Sequence, residues 1–138
     1  MPEELERILC IDDDEDILMV ASMALETIGE MKVKCCTGGA RALEVVESFH
    51  PEFILLDYMM PGMDGPATLD ALRRIPLLDE TPIAYMTARV QPSEIDEYLM
   101  AGASTVVPKP FDPMTLANEI RVVWENSFRR KRRSYASA

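Results

Sequence analysis

Five short strand-like runs alternate along this chain with five segments of helical periodicity, and that alternation leaves few folds open. The runs are "RILCI" (7–11), "KVKCC" (32–36), "FILLD" (53–57), "TPIAYMTA" (81–88) and "STVVP" (104–108). After the first, Ile17, Leu18, Ala21, Ala24, Leu25 and Ile28 recur at helical spacing until Gly29. In 38–50, Ala42, Leu43, Val46 and Phe49 share a face, and Pro51 follows. The segment 66–75 opens with proline at a first-turn position. The segment 92–103 predicts Ser93 as N-cap and Gly102 as its close. The segment 112–128 predicts Asp112 as N-cap and Pro113 at the first turn, with Leu116, Ile120, Val123 and Trp124 on one stripe. Strands separated by helices of this length pair in parallel through right-handed crossovers. A parallel sheet is covered on both faces, which suits the nearly continuous apolar strands. The expected fold is α/β: a doubly wound, five-stranded parallel sheet.

The 138 residues make one domain's worth of chain. The reading is a domain over 1–128 and a basic tail over 129–138, "RRKRRSYASA", too polar to build a core and expected to be disordered. No apolar stretch approaches the ~20 residues a membrane span needs. "MPEELER" has no hydrophobic region of the kind a secretory signal carries. The net charge is −10, and five of the 14 basic residues fall in 129–133. The rest sets nine bases against 24 acids, a balance of −15. Such a body disfavours nucleic acid as main partner and suits a cation or a basic surface. The basic run is a solvated helix end or a contact for an acidic partner. Cys10, Cys35 and Cys36 form no C-x-x-C pair and read as reduced thiols of a cytoplasmic protein. The lone His50 reads as a surface or capping residue.

In an open parallel sheet, ligands bind beyond the carboxyl ends of the strands. Strand one ends in Asp12 and Asp13, strand three in Asp57, strand four in Thr87, and strand five runs into Lys109. Three crowded carboxylates raise one another's pKa, and a divalent cation relieves the repulsion. Oxygen donors without a Cys/His cluster favour Mg²⁺ over zinc. A metal, a lysine and a hydroxyl together suit a phosphoryl group, and a carboxylate is itself a competent nucleophile for one. The lone Asp57 is the natural nucleophile, because the first-strand pair is better placed to hold the metal. Asp14, Glu15 and Asp16 fit the start of the next helix, where negative charge meets free N–H groups.

Four stretches, "ILCIDDDEDIL", "FILLDYMMPGMDG", "PIAYMTA" and "AGASTVVPKPFDPMTLANEI", resemble the response-regulator receiver domain of two-component signalling, over residues 7 to about 127. The resemblance implies a flavodoxin-like (βα)5 fold with strand order 2-1-3-4-5. It implies Asp57 as phosphoacceptor, with Thr87 and Lys109 engaging the phosphoryl group. It implies Mg²⁺ held by Asp12, Asp13, Asp57 and the backbone carbonyl of Met59, and a cis Lys109–Pro110 peptide. The implied partner is a sensor histidine kinase or histidine phosphotransfer protein, with a further output protein. A homodimer through the fourth helix, fifth strand and fifth helix is an arrangement the resemblance allows. The implied role is a signalling phosphoacceptor, not an enzyme acting on a separate substrate. The alternative is a receiver module from a larger protein with an enzymatic or DNA-binding effector.

Two departures qualify the resemblance. Val106 stands where receivers often carry an aromatic, so a Thr–aromatic rotamer switch is in doubt, and Tyr85 reads as packing. Met59, two residues after the acceptor, has no side chain to orient water, which implies a long-lived phosphoryl group. A phosphatase forming an aspartyl-phosphate would want aspartate at that place.

Overall fold

The computed structural model describes the backbone of residues 4–137 and the side chains of residues 4–127. The chain runs β1 (Arg7–Ile11), α1 (Glu15–Met23), β2 (Lys32–Cys36), α2 (Gly39–Phe49), β3 (Phe53–Asp57), α3 (Gly65–Arg73), β4 (Ile83–Thr87), α4 (Pro92–Met100), β5 (Thr105–Pro108) and α5 (Leu116–Ser137). All neighbouring strands pair in parallel, in the order β2-β1-β3-β4-β5. This is the expected doubly wound sheet.

Alternation along the strands divides the core in two. Ile8, Cys10, Phe53, Leu55, Ala84, Met86 and Val107 face α1 and α5, meeting Leu18, Ala21, Leu116, Ile120 and Trp124. Leu9, Ile11, Ile54, Leu56, Ile83 and Tyr85 face α2, α3 and α4, meeting Val46, Leu69, Leu72 and Tyr98. Each central strand is therefore buried on both sides, the physical reason it reads as an unbroken apolar run. Cys10 and Cys36 are buried, Cys35 is exposed, and all three are free.

The caps account for most element ends. Asp14 is the N-cap of α1, accepting from Asp16 N–H at 2.9 Å and Ile17 N–H at 3.3 Å. Asp64 caps α3 through Ala67 N–H at 2.9 Å. His50 closes α2 in the left-handed region, at φ 57°. Arg73, at the end of α3, donates to the carbonyls of Gly102, Leu78 and Thr81. It ties three turns together at the opposite end of the sheet from Asp57.

The structure corrects three local expectations. The N-cap of α4 is Gln91, not Ser93. Pro92 occupies the first helical turn, where its fixed φ is already helical, and the Glu94 carboxylate accepts from Gln91 N–H at 3.3 Å. The helix after β1 widens into a π-helical turn at Ala24–Ile28 before Gly29. A Cβ on Gly29 would lie 2.6 Å from the Leu25 carbonyl oxygen and 2.9 Å from the Ala117 side chain, so this glycine lets α5 pack closely. Helix α5 begins at Leu116, after a turn in which Asp112 accepts from Met114 N–H at 2.9 Å. Its backbone continues to Ser137, through the basic run. The tail expected at 129–138 has its side chains outside the described residues, and Ala138 lies outside them altogether.

Tyr85 is buried at 1% exposure, and its hydroxyl has no hydrogen-bond partner among the described residues. The ring packs edge-on against Tyr58 at 5.1 Å and Tyr98 at 5.4 Å. Burial holds its phenol far above the ordinary pKa, so the unpaired group is a neutral hydroxyl. A buried unsatisfied hydroxyl costs about 1–3 kcal/mol. Tyr85→Phe is therefore expected to raise the unfolding free energy by about 1 kcal/mol in urea titration. A loss of stability would show that the hydroxyl is bonded.

Candidate functional site

The strand order brings the sequence-derived residues to one place. β1 lies beside β3, which sets Asp12 and Asp13 next to Asp57. β4 flanks β3 on the other side and ends in Thr87. β5 follows, and Lys109 N–H donates to the Thr87 carbonyl at 2.9 Å. The Lys109–Pro110 peptide is cis, as expected. Carboxylate oxygens of Asp12, Asp13 and Asp57 all lie within 4.8 Å of one another.

Lys109 holds this cluster together. Its ammonium donates to Asp57 Oδ1 at 2.8 Å and to Asp12 Oδ2 at 3.0 Å. Asp57 and Asp12 lie 52 and 97 residues from it in sequence. Asp12 also accepts from Asp14 N–H at 2.9 Å, which links the strand end to the cap of α1. Asp12 and Asp57 are buried, and Asp13 is exposed. With all three acids ionised, the cluster and Lys109 carry a local charge of −2.

Electrostatics follow the burial. Desolvation pushes the Asp57 carboxyl up to about 6; the hydrogen bond from Lys109 opposes this and the charge of Asp12 adds to it. Burial also works against the Lys109 ammonium, but its bonds to Asp57 and Asp12 outweigh that and hold its pKa above the ordinary lysine value.

The loop after Asp57 is shaped by one glycine. A Cβ on Gly65 would lie 2.5 Å from the Tyr58 carbonyl oxygen and 2.7 Å from that of Asp57. Those are backbone atoms, so only glycine lets α3 start this close to the strand end. Met59 is 68% exposed in this loop. With Tyr58, Met60, Pro61, Asp64, Pro66 and Arg89 it lines an open hollow. Thr87 is buried, and its hydroxyl accepts from Arg89 N–H at 3.1 Å. Val106 is half-buried against the core that holds Tyr85.

The structure thus unites Asp12, Asp13, Asp57 and Lys109 in direct contact or near it, with Thr87 at the adjoining strand end. Sequence reasoning missed Tyr98 beside Thr87: its hydroxyl donates to the Arg89 carbonyl at 3.1 Å. The available signal was a tyrosine three residues after Ile95 on the buried stripe of α4, which reads only as core. The donor set itself fits a hard divalent cation: three carboxylates with residual negative charge, one of them strained toward protonation by burial.

Residues 8–121 match the response regulator receiver domain family. Among curated proteins, the chain is 34% identical over 120 residues to the transcriptional regulatory protein CseB of Streptomyces avermitilis, covering 87% of this chain and 49% of that protein. It is 34% identical over 108 residues to the regulatory protein AtoC of Escherichia coli, covering 78% of this chain and 23% of AtoC. The chain thus spans half or less of the length of these relatives. Among solved structures, the chemotaxis protein CheY4 of Vibrio cholerae superposes with a TM-score of 0.80 at 28% identity, covering 86% of this chain and 98% of CheY4. The strand order, the strand-end acids and these matches agree: the chain belongs to the response regulator receiver domains of two-component signalling.

Proposed function

We propose that this chain accepts a phosphoryl group from a partner's phosphohistidine onto Asp57, and passes the signal on by protein contact. The observation that carries the reading is Lys109, whose ammonium bridges Asp57 and Asp12 within a cluster of three carboxylates.

The chemistry balances simply. An oxygen of the Asp57 carboxylate attacks phosphorus, the phosphorus–nitrogen bond breaks, and the imidazole leaves with the electron pair. With its carboxyl near 6, Asp57 is mostly ionised at neutral pH and available as nucleophile. Lys109 already contacts the attacking carboxylate and offers positive charge to the incoming phosphoryl oxygens. Transfer of this kind needs positioning and charge more than covalent help. Thr87 supplies a hydroxyl donor at the next strand end. Mg²⁺, held by the carboxylates of Asp12, Asp13 and Asp57 and the Met59 carbonyl, would supply the divalent charge that the phosphoryl oxygens meet. Met59 presents an exposed apolar side chain beside the acceptor, which supports a slow loss of the phosphoryl group to water.

Output by contact is supported by apolar side chains left exposed on α4 and α5: Leu99 at 43%, Met100 at 89% and Val122 at 55%. A homodimer through α4, β5 and α5 would use this face. The second reading, a receiver working within a longer protein, is favoured by the partial coverage of the curated relatives, among them one named a DNA-binding response regulator. The length of the native gene product separates the two. No described helix is long and apolar enough to cross a membrane.

Three outcomes follow. Incubation with a small acyl-phosphate donor and Mg²⁺ should add one phosphoryl mass to the wild type and none to Asp57→Ala; mass gained by the variant would move the acceptor elsewhere. Mg²⁺ should raise the melting temperature by relieving carboxylate repulsion, and Asp13→Asn should weaken the effect; an unchanged melting temperature speaks against the metal site. In chelator, the raised Asp57 pKa has a definite sign. The folded state binds this proton more tightly than the unfolded state, with its ordinary value of 3.8. The resulting stabilisation is complete below about 4 and is lost as pH rises through about 6. Wild type should therefore lose stability relative to Asp57→Asn across that window, by up to about 3 kcal/mol in denaturant titrations. Parallel pH curves for the two proteins would rule the shift out.

A further inference from the structure

Two of the three cysteines face each other across the first pair of strands. Cys10 of β1 and Cys35 of β2 are register partners in the parallel ladder. Side chains alternate along β2: Cys36 packs into the layer under α2, and the Cys35 thiol lies against the Leu18 carbonyl of α1 at 3.9 Å. Cys10 belongs to the layer under α1 and α5, so the two thiols share one face of the sheet. Adjacent strands run about 4.8 Å apart. That falls within the span of about 4.4–6.8 Å between Cα atoms that a disulfide bridges. β2 is the edge of the sheet and pairs with β1 alone, so no second ladder opposes a small movement of it. Cys35 is exposed and Cys10 is buried, which lets an oxidant in solution reach one of them directly. Neither thiol has a part in the chemistry proposed for Asp57.

We propose that Cys10 and Cys35 are a redox-active pair, which a peroxide converts to a disulfide, and that the new bond displaces the strand end carrying Asp12. Hydrogen peroxide transfers one oxygen to the Cys35 sulfur, giving a sulfenic acid and releasing water. The Cys10 sulfur attacks the Cys35 sulfur, and the sulfur–oxygen bond breaks. The hydroxyl leaves with the electron pair and takes the Cys10 proton, as a second water. Two thiols are thereby oxidised to one disulfide, and one peroxide is reduced. Burial of the Cys35 sulfur raises its pKa, so the first step is slow and answers to sustained peroxide. An accessible sulfur beside a sheltered one divides the work between a sensing and a resolving cysteine. The consequence at Asp12 follows from one hydrogen bond. Asp12 N–H donates to the Cys36 carbonyl at 3.1 Å. Cys36 follows Cys35, and Asp12 stands two residues after Cys10, so the disulfide clamps both strands just before this bond. The effect on Mg²⁺ rests on the metal reading of the carboxylates.

The test uses the full chain as wild type, Cys35→Ser and Cys36→Ala. Each protein is held folded with hydrogen peroxide, then quenched, denatured without reductant and labelled with a maleimide, and its adducts are counted by mass. Wild type should fall from its three thiols to a single one while staying monomeric, and dithiothreitol should restore all three. Cys36→Ala should lose both of its thiols. Cys35→Ser, altered at an exposed position, should keep both of its own. Three thiols surviving in wild type, thiols that dithiothreitol does not restore, a bridge found only between two chains, or a bridge that persists in Cys35→Ser would each overturn the pair. The link to Asp12 is read by ¹⁵N NMR, in which the Asp12 amide should shift between reduced and oxidised wild type. The rise in melting temperature with Mg²⁺ should be smaller in the oxidised protein. An unmoved Asp12 amide, or an equal Mg²⁺ effect in both forms, would overturn the displacement. Absence of any Mg²⁺ effect in the reduced protein would instead overturn the metal reading, with the thiol count and the Asp12 amide still deciding the pair.

Discussion

Carboxylates crowded at the end of a buried sheet repel one another, and the bridge from Lys109 to Asp57 and Asp12 is what makes that crowding tolerable. Much of the upper edge of the molecule is arranged around this bridge. Asp12 and Asp57 lie at the mouth of the core, where desolvation strengthens attraction and repulsion alike. One ammonium among three carboxylates leaves the site short of positive charge. That imbalance would be a defect in an inert strand end. At a strand end where three carboxylates converge, a divalent cation would relieve it.

The sheet order does the gathering. The chain begins in the middle at β1, goes outward to β2, then crosses back to β3 on the other side of β1. The crossing places the two acidic strand ends side by side. Later strands add at the β3 side, so Thr87 and Lys109 arrive in sequence order next to Asp57. Two apolar layers hold the strands level, and Gly65 lets the following helix begin against the carbonyls of Asp57 and Tyr58.

Much of this was legible in the sequence because it depends on local pattern. The alternation of strands and helices follows from side-chain periodicity, and the strand-end acids follow from one rule about where parallel sheets bind ligands. What was not legible depends on contacts between distant elements. The cap of α4 went to Gln91 because Pro92 claims the first turn, a competition that Ser93 alone does not reveal. The π-helical turn and Gly29 answer to the approach of α5. Tyr58, Tyr85 and Tyr98 come from a loop, a strand and a helix, and no spacing within any one of them announces that their rings meet.

The outer strands also decide how a neighbour can be met. Lys109 N–H bonds inward to Thr87, so alternation turns Val106 and Pro108 to the free side of β5. Proline has no N–H, which leaves Val106 as the one residue of β5 with an outward donor. At the opposite margin, β2 carries Lys32 and Lys34. Neither margin welcomes another chain's backbone, since a growing ladder would meet a missing donor at one side and ammonium groups at the other. Recognition is thereby pushed onto helix faces and loops. A sheet that cannot be extended offers a partner side chains to read, and not backbone.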